Sequence, residues 1–323
     1  MTQILRSEIH PWIAAGLEKV RIGVCFLDTC TDWQQFYQGV QRAEELDYDS
    51  LWISDHPMLG MDCFSCLAAL AITTSRIRLG SLVSSVCYRH PSLVARLATD
   101  IDRLSGGRFV LGLGIGDLAF EFNQMGIPFL PTSKRQKILE EAIHTIKQTW
   151  QMFPSGPVQK PHIPLLIAGG GEQVTLRQVA QHAHIANFGA HAFTGGASRL
   201  EDVARKCHVL SLHCEQFQRP FTQILRSYIT LPLLLAESSA KLTFKQEHLP
   251  PPLYRQFQTS MVALTPQEAI SYYRDLIQAG MQYFIIGVIP NDLETLELFS
   301  SVVFPAIANE LPICQITQAG LQP

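Results

Sequence analysis

Eight short apolar runs, each followed by a stretch of helical spacing, constrain this chain more than any single residue does. They are Arg21 to Leu27, Ser50 to Ser54, Arg78 to Val83, Arg108 to Gly114, Pro164 to Gly169, His184 to Phe188, Arg226 to Leu235 and Gln282 to Val288. Most lack a strict period of two, as parallel strands covered on both faces do. Eight strand–helix units predict an α/β fold, a (β/α)8 TIM barrel, in which chemistry belongs at the C-terminal strand ends. The 323 residues fit a single domain over 1–323, a barrel of about 250 residues plus insertions at its C-terminal face.

Helix punctuation supports this order. Pro91 suits a first-turn position, where its missing N–H costs nothing, and Leu93, Leu97, Ile101 and Leu104 follow at helical spacing until Ser105-Gly106-Gly107 stops the run. Thr265-Pro266-Gln267-Glu268 has the form of a capping box, with Thr265 as N-cap and Glu268 three residues on. The longest irregular stretches, Leu118 to Ser133 and Glu237 to Leu264, fall on the C-terminal face and are expected to select the substrate. Pro250-Pro251-Pro252 argues against one continuous helix in the second.

Composition narrows the function classes. A net charge of −3 offers no broad basic field, so nucleic acid is not an expected partner. Met1 to Val20 contains Glu8, His10, Glu18 and Lys19 without a sustained apolar stretch, which fits neither a signal peptide nor a membrane span; a cytoplasmic protein without a membrane partner is expected. The eight cysteines then read as reduced thiols. Cys63-Phe64-Ser65-Cys66 has redox-motif spacing and Cys207 and Cys214 share a helical stretch, but packing is the favoured reading, and no zinc-finger interval supports a metal site. His144, His208 and His213 read as solvated or packing residues on helices.

His56 differs by position. It ends Ser54-Asp55-His56-Pro57, directly after the second apolar run, where an imidazole at the barrel mouth exchanges a proton near neutral pH. The competing reading is a loop residue shaped by Pro57. Gly112, Gly114 and Gly116 strip side chains from the fourth strand, admitting a planar ring or a neighbouring backbone. Gly169-Gly170-Gly171 lies between the fifth strand and a helix expected to begin near Glu172, an arrangement that presents amides to a phosphate; Arg177, one turn on, adds charge. A plain tight turn is the other reading.

Four segments together resemble the luciferase-like oxidoreductases, which use flavin or the deazaflavin F420. They are Leu51 to His56; Arg78 to Val83 with Tyr88-Arg89-His90-Pro91; Leu104 to Gly116; and Ile167 to Glu172. The resemblance runs from about Arg21 to Asn309 and leans to the F420-dependent branch. It implies that His56 is the active-site histidine and Asp55 a cofactor-contacting neighbour, and that a non-proline cis bond joins Leu82 to Val83 beside Ser84, against the ring. By the same resemblance Gly112 and Gly114 lie along the cofactor, Gly169, Gly170, Gly171 and Glu172 with Arg177 hold its phosphate end, and Asn187 lines the pocket. Asp117 matches an acidic proton donor, with helix capping as its other reading. The implied activity is hydride transfer between F420 and a small organic substrate, the alternatives being an FMN-dependent monooxygenase or a non-catalytic barrel that has lost its cofactor. A homodimer is implied too. The chain departs from its relatives after Trp150, where Phe153-Pro154-Ser155-Gly156-Pro157 replaces a longer hairpin, and at Ala263-Leu264-Thr265-Pro266, where Gly-Thr-Pro is usual.

Overall fold

A computed structural model describes residues 9–27, 32–152, 156–289 and 291–312. Residues 1–8 of the Met1 to Val20 stretch, and Phe153 to Ser155 of the shortened connection, lie outside them.

Eight parallel strands form the barrel: β1 (Arg21–Phe26), β2 (Ser50–Ile53), β3 (Arg78–Ser81), β4 (Phe109–Gly114), β5 (Leu165–Ala168), β6 (Ile185–Gly189), β7 (Leu225–Thr230) and β8 (Tyr283–Val288). β1 pairs with both β2 and β8, and the β3–β4 pairing of Leu79 with Phe109 and Gly80 with Val110 closes the ring. Alternate side chains divide into two cores. Cys25, Trp52, Val110, Leu166, Ile185, Leu225, Tyr283 and Ile285 pack together inside the barrel. Their neighbours Val24, Leu51, Leu111, Ile167, Ala186 and Phe284 pack outward beneath the helices. Both faces are therefore apolar, which is why these strands show no clean alternation in sequence.

The predicted strand from Arg226 to Leu235 is broken. Leu231–Pro232 is a cis peptide bond, Pro232 has no N–H for a ladder, and the chain resumes as Leu233–Leu235, which pairs outside the barrel with Val262–Leu264. The helix Pro91–Leu104 forms as expected, but the buried face is Val94, Ala95, Ala98, Ile101 and Asp102, whereas Leu93 and Leu104 are 50% and 51% exposed. Small Ala95 lets the neighbouring helix approach, and the Trp150 indole donates to its carbonyl at 3.0 Å. The capping box at Thr265 is present in both directions, opening the helix Pro266–Gln278. The second insertion holds two helices, Ser239–Glu247 and Pro251–Phe257, separated at Pro250. Cys63 and Cys66 are both buried in the core, in keeping with the packing reading.

The N-terminal end of the barrel is closed by the helix Pro11–Gly16. Trp12 lies under the guanidiniums of Arg21 and Arg78, 4.8 and 4.5 Å from its ring, and stands edge-on to Tyr283. Three histidines join this floor. His10 Nδ1 accepts from the Trp12 amide at 3.2 Å, His184 Nδ1 accepts from the Leu165 amide at 3.1 Å, and His162 stands edge-on to His184 with ring centres 5.1 Å apart. Burial and the nearby cations Arg78 and His162 lower His10 to about 4, burial lowers His162, and burial holds His184 well below 6.5.

Candidate active site at the barrel mouth

Three strand ends converge at the opposite rim. β2 delivers Asp55 and His56, β3 delivers Leu82 to Ser84, and β4 runs into the first insertion, whose helix Ala119–Gln124 carries Glu121. Arg135 fastens that insertion: buried, it donates to the carbonyls of Leu130, Ile115 and Gly116 and packs over Phe129.

His56 is held by a residue that local pattern did not reveal. Its Nδ1 lies 3.0 Å from Glu121 Oε2, the Tyr88 hydroxyl donates to the same oxygen at 3.2 Å, and the Met58 amide donates to Oε1 at 3.4 Å. Glu121's side chain is wholly buried, while His56 remains 30% exposed. Burial works against a charged imidazole, but the Glu121 bond and the charges of Glu121, Asp117 and Asp55 outweigh it, leaving the His56 pKa above 6.5. Burial and Glu121 push the Tyr88 phenol upward, so it stays a donor. The arrangement is a carboxylate–imidazole dyad with Nε2 as the ring atom left to exchange a proton.

Asp117 stands at the exposed rim. Partial withdrawal from water raises its carboxyl pKa, His56 lowers it and Glu121 raises it further. It does not cap the next helix, whose N-cap, Leu118, makes no side-chain cap bond. His191, just beyond β6, faces the same rim; its Nε2 lies 3.2 Å from the Gln256 carbonyl, tying it to the second insertion.

Asp55 and Ser84 are placed differently from the expectation of ring contact. Arg89 grips Asp55 with two bonds, at 2.7 and 3.1 Å, and Ser84 Oγ donates to it at 3.0 Å; the Asp55 side chain is fully buried. Its oxygens are satisfied within the protein, so it acts on the rim by locking the β2 end to the segment after β3. Arg89 also pairs with Asp62, the N-cap of the helix Cys63–Thr73. The bond between Leu82 and Val83 is cis, as expected. Gly112 and Gly114 make room for this segment: a Cβ at Gly112 would lie 2.0 Å from the Ser81 carbonyl oxygen, and one at Gly114 2.5 Å from Val83. Of the two readings of these glycines, the close approach is by backbone and Val83.

At β5, Gly169 to Gly171 turn toward a helix that begins at Thr175, three residues later than expected. Residues 172–174 form the intervening turn, and the amides of Gly171, Glu172 and Gln173 have no backbone acceptor among the described residues. Gly170 is packed closely, since a Cβ there would lie 2.9 Å from Lys206 Nζ and 3.0 Å from Gly195. Two side chains depart from expectation. Arg177 is exposed and lies over the Phe217 ring, 5.3 Å from its centre, and Glu172 pairs with Arg205 at 2.7 Å and Lys206 at 3.7 Å. Both meet the neighbouring helix Leu200–Gln216 or its C-cap Phe217, Arg177 by its rotation about the helix axis and Glu172 from the turn before it. The cation at this turn is instead Lys206, buried and donating to the Gly170 carbonyl at 2.6 Å. Asn187 is buried on β6, its amide donating to Ser227 Oγ at 2.8 Å while its carbonyl receives the Gly169 N–H at 2.9 Å, so it braces the turn from below.

Titratable side chains gathered at the C-terminal mouth of a closed parallel barrel are the arrangement of an enzyme of the barrel class. Within it, the chain belongs to the luciferase-like monooxygenase family, which its residues 19–217 match. It is similar to the 4-hydroxyprotoasukamycin monooxygenase of Streptomyces nodosus subsp. asukaensis, 36% identical over 117 residues, 34% of this chain and 32% of that one. It is also similar to the F420-dependent glucose-6-phosphate dehydrogenase of Kineococcus radiotolerans, 31% identical over 156 residues, 42% of this chain and 46% of that one. The matched stretches thus span less than half the length of these relatives. In fold it resembles the coenzyme F420-dependent tetrahydromethanopterin reductase of Methanopyrus kandleri, with a TM-score of 0.72 at 18% identity over 90% of this chain and 99% of that structure. No helix among the described residues is long and apolar enough to cross a membrane.

Proposed function

We propose that the protein is an F420-dependent oxidoreductase that moves a hydride between the deazaflavin and a small organic substrate. The observation that carries this reading is the His56–Glu121 dyad: a buried carboxylate fixes one imidazole nitrogen and balances its charge, so that the ring can take a proton as an alcohol is oxidised or give one as a carbonyl is reduced. The similarity to an F420-dependent dehydrogenase supports the choice of cofactor. The mouth suits such a group. The Gly169–Gly171 turn has amides to offer a phosphate, with the Lys206 charge behind it, and Leu82 and Val83 present a half-buried apolar surface that suits a ring face.

When bound, F420 supplies a two-electron hydride carrier. The protein's part is to handle the accompanying proton. His56 takes it or gives it at Nε2, while Glu121 keeps hold of Nδ1 and compensates the imidazolium charge. Tyr88 and the Met58 amide fix the Glu121 carboxylate, so the ring does not reorient as its charge changes. Asp117, beside it at the rim, serves as an auxiliary acid–base group. Both insertions close around this point, the second reaching it through His191.

The monooxygenase among the relatives favours the FMN-dependent alternative, in which reduced flavin activates dioxygen. Titrating the purified protein with F420 and, separately, with FMN tells the two apart. Preferential binding of F420 is expected; preference for FMN refutes the deazaflavin reading, and binding of neither favours a barrel without a cofactor.

A further inference from the structure

Outside the mouth, three side chains meet on the outer wall of the barrel. Glu140 and His144 sit one turn apart on the helix Thr132–Met152, and His182 ends the helix Thr175–His182. His182 Nε2 lies 2.6 Å from Glu140 Oε1, and His144 Nε2 lies 3.5 Å from the same oxygen. One donor atom from each residue lies within 4.8 Å of the other two. The imidazole rings stand edge-on, 5.0 Å apart. The cluster is closed on its inner side, where His182 is only 6% exposed, and open on its outer side, where His144 is 57% exposed.

The surroundings add a second observation. Gln178, one turn before His182, is buried, and its Oε1 has no hydrogen-bond partner among the described residues; Gln136, one turn before Glu140, has an orphaned Oε1 as well. Gln178 Nε2 donates to the Gln136 carbonyl at 3.0 Å. Polar groups are thus stacked along the seam between the two helices beyond what the protein itself satisfies, and each such group has a cost in a buried setting.

We propose that Glu140, His144 and His182 form a binding site for a divalent transition-metal ion of the Zn²⁺ type, with the solvent side completing the coordination. Two imidazoles and one carboxylate form a donor set that suits Zn²⁺, and three protein ligands leave a fourth, open position. Donors about 2.0–2.1 Å from a tetrahedral ion stand about 3.4 Å apart, so the His144–Glu140 separation already suits, the His182–Glu140 pair opens by under about 1 Å, and the donor atoms, all within 4.8 Å of one another, need only side-chain adjustment to close on one ion. Lys147 is directed at the His182 carbonyl, 3.5 Å away, and the Glu140 carboxylate offsets its charge. A bound ion staples the two helices at the end opposite the Gly169–Gly171 turn.

The test is titration of the metal-stripped, full-length protein with Zn²⁺ by calorimetry and with Co²⁺ by its visible d–d absorption. About one ion per chain is expected, with His144→Ala and Glu140→Gln each weakening binding at least about tenfold. His208→Ala, at an exposed histidine elsewhere, leaves it unchanged. The thermal midpoint rises with Zn²⁺ in the wild type and not in His144→Ala. Equal binding by wild type and His144→Ala, a thiolate-to-cobalt absorption band, or no uptake overturns the assignment.

Discussion

The histidine floor of the barrel makes the fold acid-sensitive as pH falls below 6.5. His10, lowered to about 4 in the folded chain, regains an ordinary value near 6.5 when the chain unfolds. Between those values the unfolded state binds the extra proton, so stability falls as pH falls from 6.5 toward 4. The limiting slope is about 1.4 kcal/mol per pH unit for each proton, so His10 alone lowers stability by roughly 1–2 kcal/mol between pH 7 and pH 5. His162 and His184, both lowered by burial, act in the same direction. Against a domain stability of about 5–15 kcal/mol the sum is a large fraction. Geometry explains the penalty: protonating His10 or His184 at Nδ1 turns an acceptor into a donor facing a backbone N–H. The assay is urea unfolding at pH 7, 6 and 5 for the wild type and for His10→Asn, which retains a helix-capping acceptor but cannot titrate. The variant should lose less stability on acidification. The raised groups His56 and Asp117 act oppositely and are common to both proteins, so the difference isolates His10. Equal pH dependence in the two proteins refutes the argument.

Two further outcomes follow from the mouth. His56→Ala should lower kcat at least about 100-fold, whereas Glu121→Gln should retain more activity but shift the pH profile: in the direction where His56 donates, activity falls as pH rises through a pKa above 6.5, and the variant's fall moves to lower pH. An unshifted profile in steady-state kinetics removes Glu121 from the dyad. Gly114→Ala should destabilise the protein by about 1–3 kcal/mol through contact with Val83, and Val83→Ala should relieve part of that loss. Simple additivity of the two changes in denaturation midpoints shows that the contact does not matter.

The barrel was legible because strand order and burial on both faces leave a local imprint, as does the reciprocal bonding of Thr265 and Glu268. The placement of His56 followed from its position at the end of β2. Its partner was not legible, because Glu121 is 65 residues away and reaches His56 only through the fold of the first insertion. The same limitation explains Lys206, which meets the Gly170 carbonyl across 36 residues, and the misjudged direction of Arg177, which helical rotation about a start displaced to Thr175 turns outward. The stripe of Leu93 and Leu104 misled because size alone does not say which face of a helix is covered; Ala95 and Ala98 allow the closer approach and define it.

Glu121 lies in the irregular segment between β4 and the long helix Thr132–Met152, the kind of segment that diverges or is exchanged between relatives most readily. In this chain that segment is not a modular wall around the proposed proton relay, because it contributes the carboxylate that holds His56. A loop transplant intended to change substrate choice would therefore change the acidity of His56 with it, and redesign must carry Glu121 and its Tyr88 contact into any new sequence.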